Sequence, residues 1–475
     1  MRACALRRVR SITSDMQKND IVTLHIEEIN NLGCGVGHLK NPDGSRGLVV
    51  FVQGAVTEDE IEARIIKVNK SYLVGRIERI VKPSPYRDES EDCGARGCGG
   101  CVYRHVKYEH ELKLKHDYVE LAFRKAGLAN VTVEPVRTTG VLCGYRNKAQ
   151  YPVRQGKGGL EYGFFANSTH RIVPVENCKL QPKIFADIAT FVCDFANQTK
   201  MTAYDEETGR GFLRHIYLRC GQKTGEIMLC LVANGDRFAE EKKFVAQINE
   251  TFPQVTSVFL NTNTKNTNVV LGDNYRLLYG NAWIEDELCG VRFRISPGAF
   301  YQVNHDACEL LYGVAKEKAA LTGNETILDL YCGIGTIGLS MAESAKEIVG
   351  IEIVEEAVKC AAENAVRNGV KNAYFYCGDA SDARNLLATA EAAHGAVDGA
   401  TVIMDPPRKG STPELIEYLA ERDFRRIVYV SCNPDTLARD CVLFRKLGYE
   451  IGCVTPVDMF PRTGHVESVV CLTRK

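Results

Sequence analysis

The sequence predicts a multidomain α/β protein with a small N-terminal β-barrel, a central α+β domain and a C-terminal domain built on a parallel sheet. Short alternating strands with glycine turns precede residue 83, strands and helical segments mix up to residue 300, and apolar strands alternate with helical patterns after it. A chain of 475 residues is also too long for one hydrophobic core. We therefore assign residues 1–16 to a tail, 17–82 to the barrel, 83–300 to the central domain and 301–475 to the C-terminal domain.

The composition is typical of a soluble globular protein, with 45% hydrophobic and 25% charged residues. No apolar run is long enough to cross a bilayer, so we expect no membrane partner. The 19 cysteines are an odd number and are spread through apolar segments, and no convincing secretory signal precedes them. We expect reduced thiols, a cytoplasmic location and, by default, a monomer.

Charge is distributed unevenly along the chain. The formal net charge of −1 argues against a large, uniformly basic surface, but five Lys and Arg residues and no acid lie between positions 137 and 157. Local patches would therefore carry any phosphate binding. Residues 1–10 are also basic, and they are either an import signal or sequence upstream of a start at Met16.

The barrel is predicted from strand-like segments at residues 21–26, 47–52, 61–66 and 72–80. Gly33, Gly35 and Gly37 interrupt the pattern, and residues 83–85 resemble a linker. The last strands carry more Lys and Arg than acids. This pattern fits either an RNA-binding module or an ordinary solvated surface.

A cysteine motif follows at Cys93, Cys98 and Cys101, where glycines free the backbone to curl around a bound group. Three closely spaced thiols in a reducing compartment favour a metal site over disulfides. Cys178, in a polar turn between apolar segments, is our choice of fourth ligand. Four thiolates suit zinc or an iron–sulfur cluster. The C-x4-C-x2-C spacing matches the first three ligands of a plant-type two-iron cluster, but the long gap to Cys178 weakens this match.

The C-terminal domain begins with a buried strand at residues 326–331 that runs into Gly333, Gly335 and Gly338. Such a turn lets a ligand approach the backbone, and Glu352, which ends the next strand, is placed to accept a bond from a ribose. The pattern is typical of both dinucleotide sites and S-adenosylmethionine sites, and it also occurs in turns without a ligand.

Three further chemical groups stand at or beside strand ends in this domain. Asp405 precedes two prolines that stiffen its turn, Cys432 follows the next strand, and Glu467 lies in the last strand. A cysteine at the carboxyl end of a strand, beside a cofactor, is placed as a nucleophile would be. The alternative is that Cys432 is a small packing residue.

Two segments of the sequence pair aromatic rings with planar polar side chains. They are YRNKAQYP at residues 145–152 and FYQVN at residues 300–304. This combination can hold an unstacked nucleobase, although each segment could also be ordinary core and turn.

Taken together, these motifs resemble the RNA uracil-C5 methyltransferase family, and within it the 23S rRNA branch. The resemblance covers nearly the whole chain from about Met16 and implies an N-terminal TRAM barrel, a four-iron cluster and a class I, Rossmann-like methyltransferase domain. The motifs that carry it are Cys93/Cys98/Cys101, YRNK from 145, YQVN from 301, DLYCGIG from 329, DPPR from 405, SCNP from 431 and HVE from 465.

The resemblance also implies roles for single residues. Cys432 would be the nucleophile and Glu467 the base that removes the C5 proton, while Arg146 and Phe300 would contact the target uracil in RNA. The cofactor S-adenosylmethionine would be held by Gln302, Tyr331, Gly333, Gly335, Thr336, Glu352, Asp379 and Asp405.

Three other functions remain open at this point. The chain could methylate tRNA instead of 23S rRNA, or it could be a non-catalytic RNA-binding or redox-sensing protein centred on its cysteines. An NAD-dependent oxidoreductase would explain the glycine turn and Glu352, but it would give no task to Cys432 or Asp405.

Overall fold

The computed structural model describes residues 16–90, 93–167, 169–379, 382–394, 397, 399–422 and 424–474. The described chain forms two compact units. The first takes its described residues from 16–90, 101–118 and 462–465, and the second takes the other described residues. Within the described residues, no helix is both long and apolar enough to span a membrane. The basic segment at residues 1–10 lies outside the described part, and the domain boundaries at residues 82 and 300 stay predictions.

The first unit is built on a six-stranded sheet that curls on itself. The sheet has the order β1-β5-β6-β4-β3-β2, and β4 and β6 are its parallel pair. The Glu27 N–H donates to the Val36 carbonyl and so joins the chain after β1 to β3. The strands are β1 (Ile21–His25), β2 (Glu28–Ile29), β3 (Cys34–Lys40), β4 (Arg46–Gln53), β5 (Glu60–Val68) and β6 (Tyr72–Lys82).

The predicted break is confirmed at Gly33, which has a φ of 74° in the turn between β2 and β3, but it is wrong at Gly35 and Gly37, which lie inside strand β3. A Cβ atom on Gly35 would come within 2.8 Å of the Ala55 side chain, and one on Gly37 would come within 2.8 Å of the His25 carbonyl. These glycines therefore permit the close approach that curls the sheet.

The segment at residues 83–85, predicted as a linker, is instead fixed to the sheet by the buried Asp59. The Asp59 carboxylate accepts from the N–H groups of Val56 (2.7 Å) and Ser84 (2.9 Å) and from the Arg87 guanidinium (2.8 Å from Nε). Ser84 is itself buried. Asp59 thus holds three segments of the first unit together.

The second unit contains a seven-stranded sheet of order β13-β12-β11-β10-β7-β8-β9, in which β11 and β12 form the parallel pair. Helices α2 and α3 pack against it through an apolar core. Its elements are β7 (Lys148–Gln155), β8 (Leu160–Phe165), β9 (Ile172–Pro174), α2 (Lys183–Gln198), β10 (Leu213–Cys220), β11 (Ile227–Ala233), α3 (Glu241–Thr251), β12 (Val255–Thr262) and β13 (Asn274–Gly280). Helix α1 (Tyr108–Lys125) precedes them, and the hairpin β14 (Ile284–Leu288) and β15 (Val291–Ile295) follows.

The C-terminal third of the chain forms a second seven-stranded sheet, of order β18-β17-β16-β19-β20-β22-β21. Strands β16 to β20 are parallel to one another, and β22 runs antiparallel between β20 and β21. The predicted Rossmann-like fold is confirmed. The strands are β16 (Thr326–Leu330), β17 (Glu347–Glu352), β18 (Ala373–Cys377), β19 (Thr401–Met404), β20 (Arg426–Ser431), β21 (Glu450–Val457) and β22 (Glu467–Thr473).

Helices connect the parallel strands, and the order of the sheet reverses between β16 and β19. In open α/β sheets, ligands bind at such a reversal, outside the carboxyl ends of the strands. The helices are α4 (His305–Ala319), α5 (Thr336–Ser340), α6 (Glu355–Arg367), α7 (Ala383–His394), α8 (Pro413–Glu421) and α9 (Pro434–Lys446). Helix α5, which the glycine turn begins, is only five residues long.

Candidate active site

The glycine turn after β16 has the strained backbone that the sequence predicts. Tyr331, Gly333 and Gly335 all have positive φ angles, of 67°, 56° and 82°. A Cβ atom on Gly333 would meet nothing within 4 Å, whereas one on Gly335 would lie 3.2 Å from the Phe375 ring. The turn therefore presents an open backbone surface at Gly333 and packs tightly at Gly335.

Glu352 lies at the end of β17 and braces this turn. One carboxylate oxygen accepts from the Gly333 N–H at 3.1 Å, and the other accepts from the Val354 N–H at 2.9 Å. The Gly333 N–H, which we expected to face a ligand, is thus already bonded within the protein. A carboxylate oxygen has more than one lone pair, so Glu352 can still accept from a ligand hydroxyl.

Asp329 is a buried acid behind the turn that the sequence analysis left without a role. Its Oδ2 accepts from the Gly338 N–H at 2.9 Å, and its Oδ1 has no hydrogen-bond partner among the described residues. Burial, opposed by the Gly338 hydrogen bond and supported by the nearby carboxylates of Asp405 and Glu352, raises the pKa of Asp329 to about 7. A lone acid within an apolar strand is the only sequence signal that could have singled it out.

The strand register brings several predicted site residues to one edge of the sheet. Leu330 pairs with Ile351 on one side and with Met404 on the other. The residues that follow these strands, Tyr331 and Asp405, therefore lie side by side with the last residue of β17. Tyr331 is half-buried.

Cys432 and Glu467 meet at the same edge, although they are far apart in sequence. Ser431 pairs with Ser468 in the antiparallel ladder between β20 and β22, so the next pair in register is Cys432 and Glu467. Cys432 is half-buried and Glu467 is buried. The Asn433 side chain caps α9 by accepting from the Asp435 N–H at 3.1 Å, which fixes the backbone beside Cys432.

Two carboxyl groups and one guanidinium set the electrostatics around Cys432. Burial raises the pKa of Glu467, and the nearby Asp405 raises it further, whereas Arg408 opposes the rise. Desolvation also raises the pKa of Asp405. Two acids so placed share a proton near neutral pH, so one of them is available as a base.

The thiol of Cys432 is held in its protonated form. Burial, followed by the charges of Glu467 and Asp405, raises the pKa of Cys432 to about 11, and Arg408 partly offsets these effects. The sequence analysis quoted Arg408 in a motif but gave it no role. Its place directly after the two prolines that stiffen the turn following β19 was the available signal.

Phe300 projects from the loop before α4 and is 68% exposed. Buried polar contacts hold this loop: Arg219 donates to the Ala299 carbonyl at 2.8 Å, and Asn147 donates to the Gln302 carbonyl at 2.9 Å. The backbone of Arg146 forms an isolated antiparallel β-bridge with that of Asn304. An exposed aromatic ring on a rigid loop is suited to stacking on a base.

Lysine and arginine side chains lie close together on and beside strands β7 and β10, which support this loop. Lys148 is paired in register with Arg219. Burial, followed by the charges of Arg219 and Arg146, lowers the pKa of Lys148 to about 8. A cluster of cations beside an exposed ring favours a polyanionic, base-bearing ligand.

Comparisons with known proteins identify the kind of molecule that carries this site. The family profile described as tRNA (Uracil-5-)-methyltransferase matches residues 107–475, and the TRAM domain profile matches residues 16–77. The chain belongs to this family of RNA methyltransferases. The methyltransferase domain and the TRAM domain predicted from the sequence are therefore confirmed.

Relatives of this methyltransferase span its whole length. An uncharacterized RNA methyltransferase of Bacillus cereus is 39% identical over 97% of this chain and 98% of its own, and one of Clostridium acetobutylicum is 36% identical over the same shares. The crystal structure of the Pyrococcus abyssi tRNA (uracil-54, C5)-methyltransferase, in complex with S-adenosyl-L-homocysteine, is 28% identical. It superposes with a TM-score of 0.74 over 95% of this chain and 100% of its own. This similarity supports S-adenosylmethionine as the cofactor.

Three of the four cysteines predicted to bind a metal group lie close together in the second unit. The charges of Cys93 and Cys98 help to raise the pKa of Cys178, and all three cysteines pack against one apolar cluster around Ala166. Cys101 belongs to the first unit. Within the described ranges, no group of three or more His, Cys, Asp or Glu is placed to hold a metal ion. The four-iron cluster therefore stays a prediction.

Two predicted cofactor residues lie beside the glycine turn. Thr336, the first residue of α5, shares a hydrogen bond of 2.8 Å with the Tyr312 hydroxyl. Asp379 is exposed just beyond β18, the edge strand of the sheet. Both follow carboxyl ends of parallel strands in the methyltransferase sheet, as a cofactor contact requires.

Proposed function

We propose that the protein transfers a methyl group from S-adenosylmethionine to C5 of a uridine in 23S rRNA. The observation that carries this proposal is the ladder between β20 and β22, which pairs Ser431 with Ser468 and so leaves Cys432 and Glu467 as the next two residues at the carboxyl end of β20. A nucleophile and a base that face each other across one ladder can act on adjacent atoms of one ring.

Cys432 would begin the reaction. Uracil C5 is a weak nucleophile, and addition of the Cys432 sulfur to C6 turns the ring into an enolate that is reactive at C5. The thiol proton must leave as the C–S bond forms, and the ionised member of the Asp405 and Glu467 pair is the acceptor at hand. Arg408 stabilises the negative charges that develop there.

Glu467 would complete the reaction. When bound, S-adenosylmethionine supplies an electrophilic methyl group, which C5 of the adduct takes up. The Glu467 carboxylate then removes the C5 proton, the ring electrons expel the Cys432 thiolate from C6, and the double bond of the methylated uracil returns. The proton taken from Cys432 leaves both carboxyl groups protonated, so one proton must pass to solvent and the other must reside on Asp405 before Glu467 can act as the base.

The glycine turn and its neighbours are the proposed cofactor site. Glu352 would bind the ribose, and the open face at Gly333 would admit the amino-acid part. Gln302, Tyr331, Gly335, Thr336, Asp379 and Asp405 complete the proposed site.

The RNA would approach the side that carries Phe300. We propose that this ring and Arg146 hold the target base outside its stack, since a stacked base cannot be reached on both faces.

The TRAM domain supports an RNA substrate. We favour 23S rRNA in the cytoplasm because of the TRAM domain and the cysteine motif, and the tRNA enzyme of Pyrococcus abyssi makes tRNA the second candidate. Mapping 5-methyluridine in both RNAs after deletion of the gene separates the two.

We propose that Cys93, Cys98, Cys101 and Cys178 hold a four-iron cluster. Methyl transfer requires no electron, so the cluster would stabilise the surrounding fold or orient RNA. The gathering of Cys93 and Cys98 with Cys178 supports this assignment.

Replacing the nucleophile tests the proposed function. Cys432→Ala is expected to lower methyl transfer by at least about 1,000-fold and to leave S-adenosylmethionine affinity, measured by calorimetry, within about twofold. Cys360→Ala, a half-buried cysteine in α6, is the matched control. Normal turnover by Cys432→Ala would refute the mechanism.

Glu467→Gln should accumulate a covalent RNA adduct that migrates slowly on a denaturing gel, and absence of that band would exclude Glu467 as the proton acceptor.

A further inference from the structure

A cavity of about 240 Å³ lies in the second unit, on the sheet that contains β7 to β10 and away from the proposed active site. Its walls come from β7, β8, β9 and β10 and from the turn at residues 204–207. The volume suits a single planar heterocycle rather than a whole cofactor, since pockets for drug-sized ligands start near 300 Å³.

The floor of the cavity contains buried polar atoms that lack partners. Arg214 is 4% exposed and His215 is 7% exposed, and both line the cavity. Within the described part of the chain, neither Arg214 Nε nor His215 Nδ1 has a hydrogen-bond partner, although another Arg214 nitrogen donates to the carbonyls of Asn263 (2.7 Å) and Lys265 (2.8 Å). Buried polar groups are rarely left unsatisfied, so this pair points to a ligand.

Flat groups form the walls. The Arg214 guanidinium lies 4.2 Å from the centre of the Tyr204 ring, and the rings of Phe165 and His170 are 5.7 Å apart. Aromatic and guanidinium planes of this kind hold an unstacked base.

The rim adds hydrogen-bond acceptors. A Glu206 carboxylate oxygen lies 2.9 Å from His170 Nδ1. Glu207, the next residue, also lines the cavity. A simple cation would be repelled by Arg214 and an anion by these carboxylates, so the site is suited to a neutral ligand. Carboxylates accept from amino groups, and they disfavour the two carbonyl groups of uracil.

We propose that this cavity holds one unstacked RNA base that bears an exocyclic amino group, near the target uridine in the same strand. The proposal rests on the proposed function, because it assumes an RNA substrate. Arg214 and His215 would bind the ring acceptors, Glu207 would bind the amino group, and Tyr204 and Phe165 would enclose its faces.

Strand β7 runs from the loop that carries Phe300, where the target uridine is proposed to bind, to the cavity. Asn147, which holds the Gln302 loop, lies seven residues from Arg154 at the cavity, and an extended strand covers that separation in about 24 Å. A short single-stranded RNA segment could therefore place one base in each site.

Saturation-transfer NMR on the full chain tests the cavity without requiring catalysis. With S-adenosylhomocysteine added to fill the cofactor site, cytidine monophosphate should give a stronger signal than uridine monophosphate. Tyr204→Ala should reduce the cytidine signal at least threefold, and His215→Gln should reduce it while preserving side-chain size. Tyr279→Ala, on β13 at the opposite edge of the same sheet, should leave it unchanged. Equal signals from both nucleotides, or an unchanged signal in Tyr204→Ala, would overturn the proposal.

Methylation kinetics separate this proposal from the proposed function. With RNA that the wild type methylates, Tyr204→Ala should raise KM about 5- to 100-fold, since stacking on one aromatic ring is worth that much, and a KM within twofold of the wild type would refute the cavity's role. If no RNA is methylated, the proposed function fails, and the NMR comparison still decides whether the cavity binds a base.

Discussion

Asp329→Asn should make the protein more stable, and increasingly so as pH rises. The native pKa of Asp329 is raised to about 7 by burial and by neighbouring carboxylates, whereas an unfolded chain titrates Asp near its ordinary value of about 4. Between these values the folded state binds more protons than the unfolded state. The free energy of unfolding of the wild type therefore falls as pH rises from about 4 to about 7, and the penalty then stays constant.

The size of the effect follows from the displacement of the pKa. Each pKa unit is worth about 1.4 kcal/mol, so full ionisation of Asp329 costs up to about 4 kcal/mol. Asn keeps the shape, and its oxygen can still accept from the Gly338 N–H. The Asn amine replaces an Oδ1 that has no partner among the described residues, which costs about 1–3 kcal/mol, as does the protonated Asp. We expect a gain of about 1 kcal/mol at pH 5 and of about 3 kcal/mol at pH 8.

Thermal unfolding measured from pH 5 to pH 8.5 tests this expectation. The melting temperature of Asp329→Asn should exceed that of the wild type by a margin that widens with pH and reaches roughly 3–6 °C. Asp236→Asn, at an exposed aspartate, controls for the loss of charge and should show no widening. A margin that is constant, or that shrinks as pH rises, would refute the reasoning.

Three further predictions concern the cofactor, the first unit and the cysteines. Glu352→Gln should weaken S-adenosylmethionine binding about tenfold in calorimetry, because a charged acceptor and a brace of the turn are lost; unchanged affinity would exclude the ribose contact. Asp59→Asn should destabilise the first unit by about 3 kcal/mol by leaving Arg87 without its charge partner, seen as faster hydrogen exchange at Val56 and Ser84, and unaltered exchange would contradict it. Protein purified without oxygen should be brown with about four irons per chain, and Cys178→Ser should lose the colour; colourless protein with stoichiometric zinc would overturn the iron assignment.

The sequence was most informative where several signals coincided. Glycines at a strand end, an acid at the end of the next strand and prolines after Asp405 all marked the carboxyl ends of strands that are neighbours in the sheet. Gly35 and Gly37 misled the analysis because glycine also permits close packing inside a strand. Periodicity could not show that β22 inserts beside β20, and the juxtaposition of Cys432 and Glu467 depends on that insertion.

The raised pKa values at the active site fit an enzyme that is inactive until RNA binds. A thiol with a pKa of about 11 is almost fully protonated at neutral pH, so Cys432 is protected from stray electrophiles, including the methyl donor itself. Addition to uracil becomes favourable only when the thiol proton and the new charge on the ring are both accommodated. The proton shared by Asp405 and Glu467 and the positive charge of Arg408 provide for both, because one carboxylate can take a proton while the guanidinium offsets the charge that remains. For the proposed reaction, the burial that suppresses the nucleophile in the RNA-free protein therefore also raises the basicity of the carboxylate that takes the C5 proton once the thiol proton has passed to solvent.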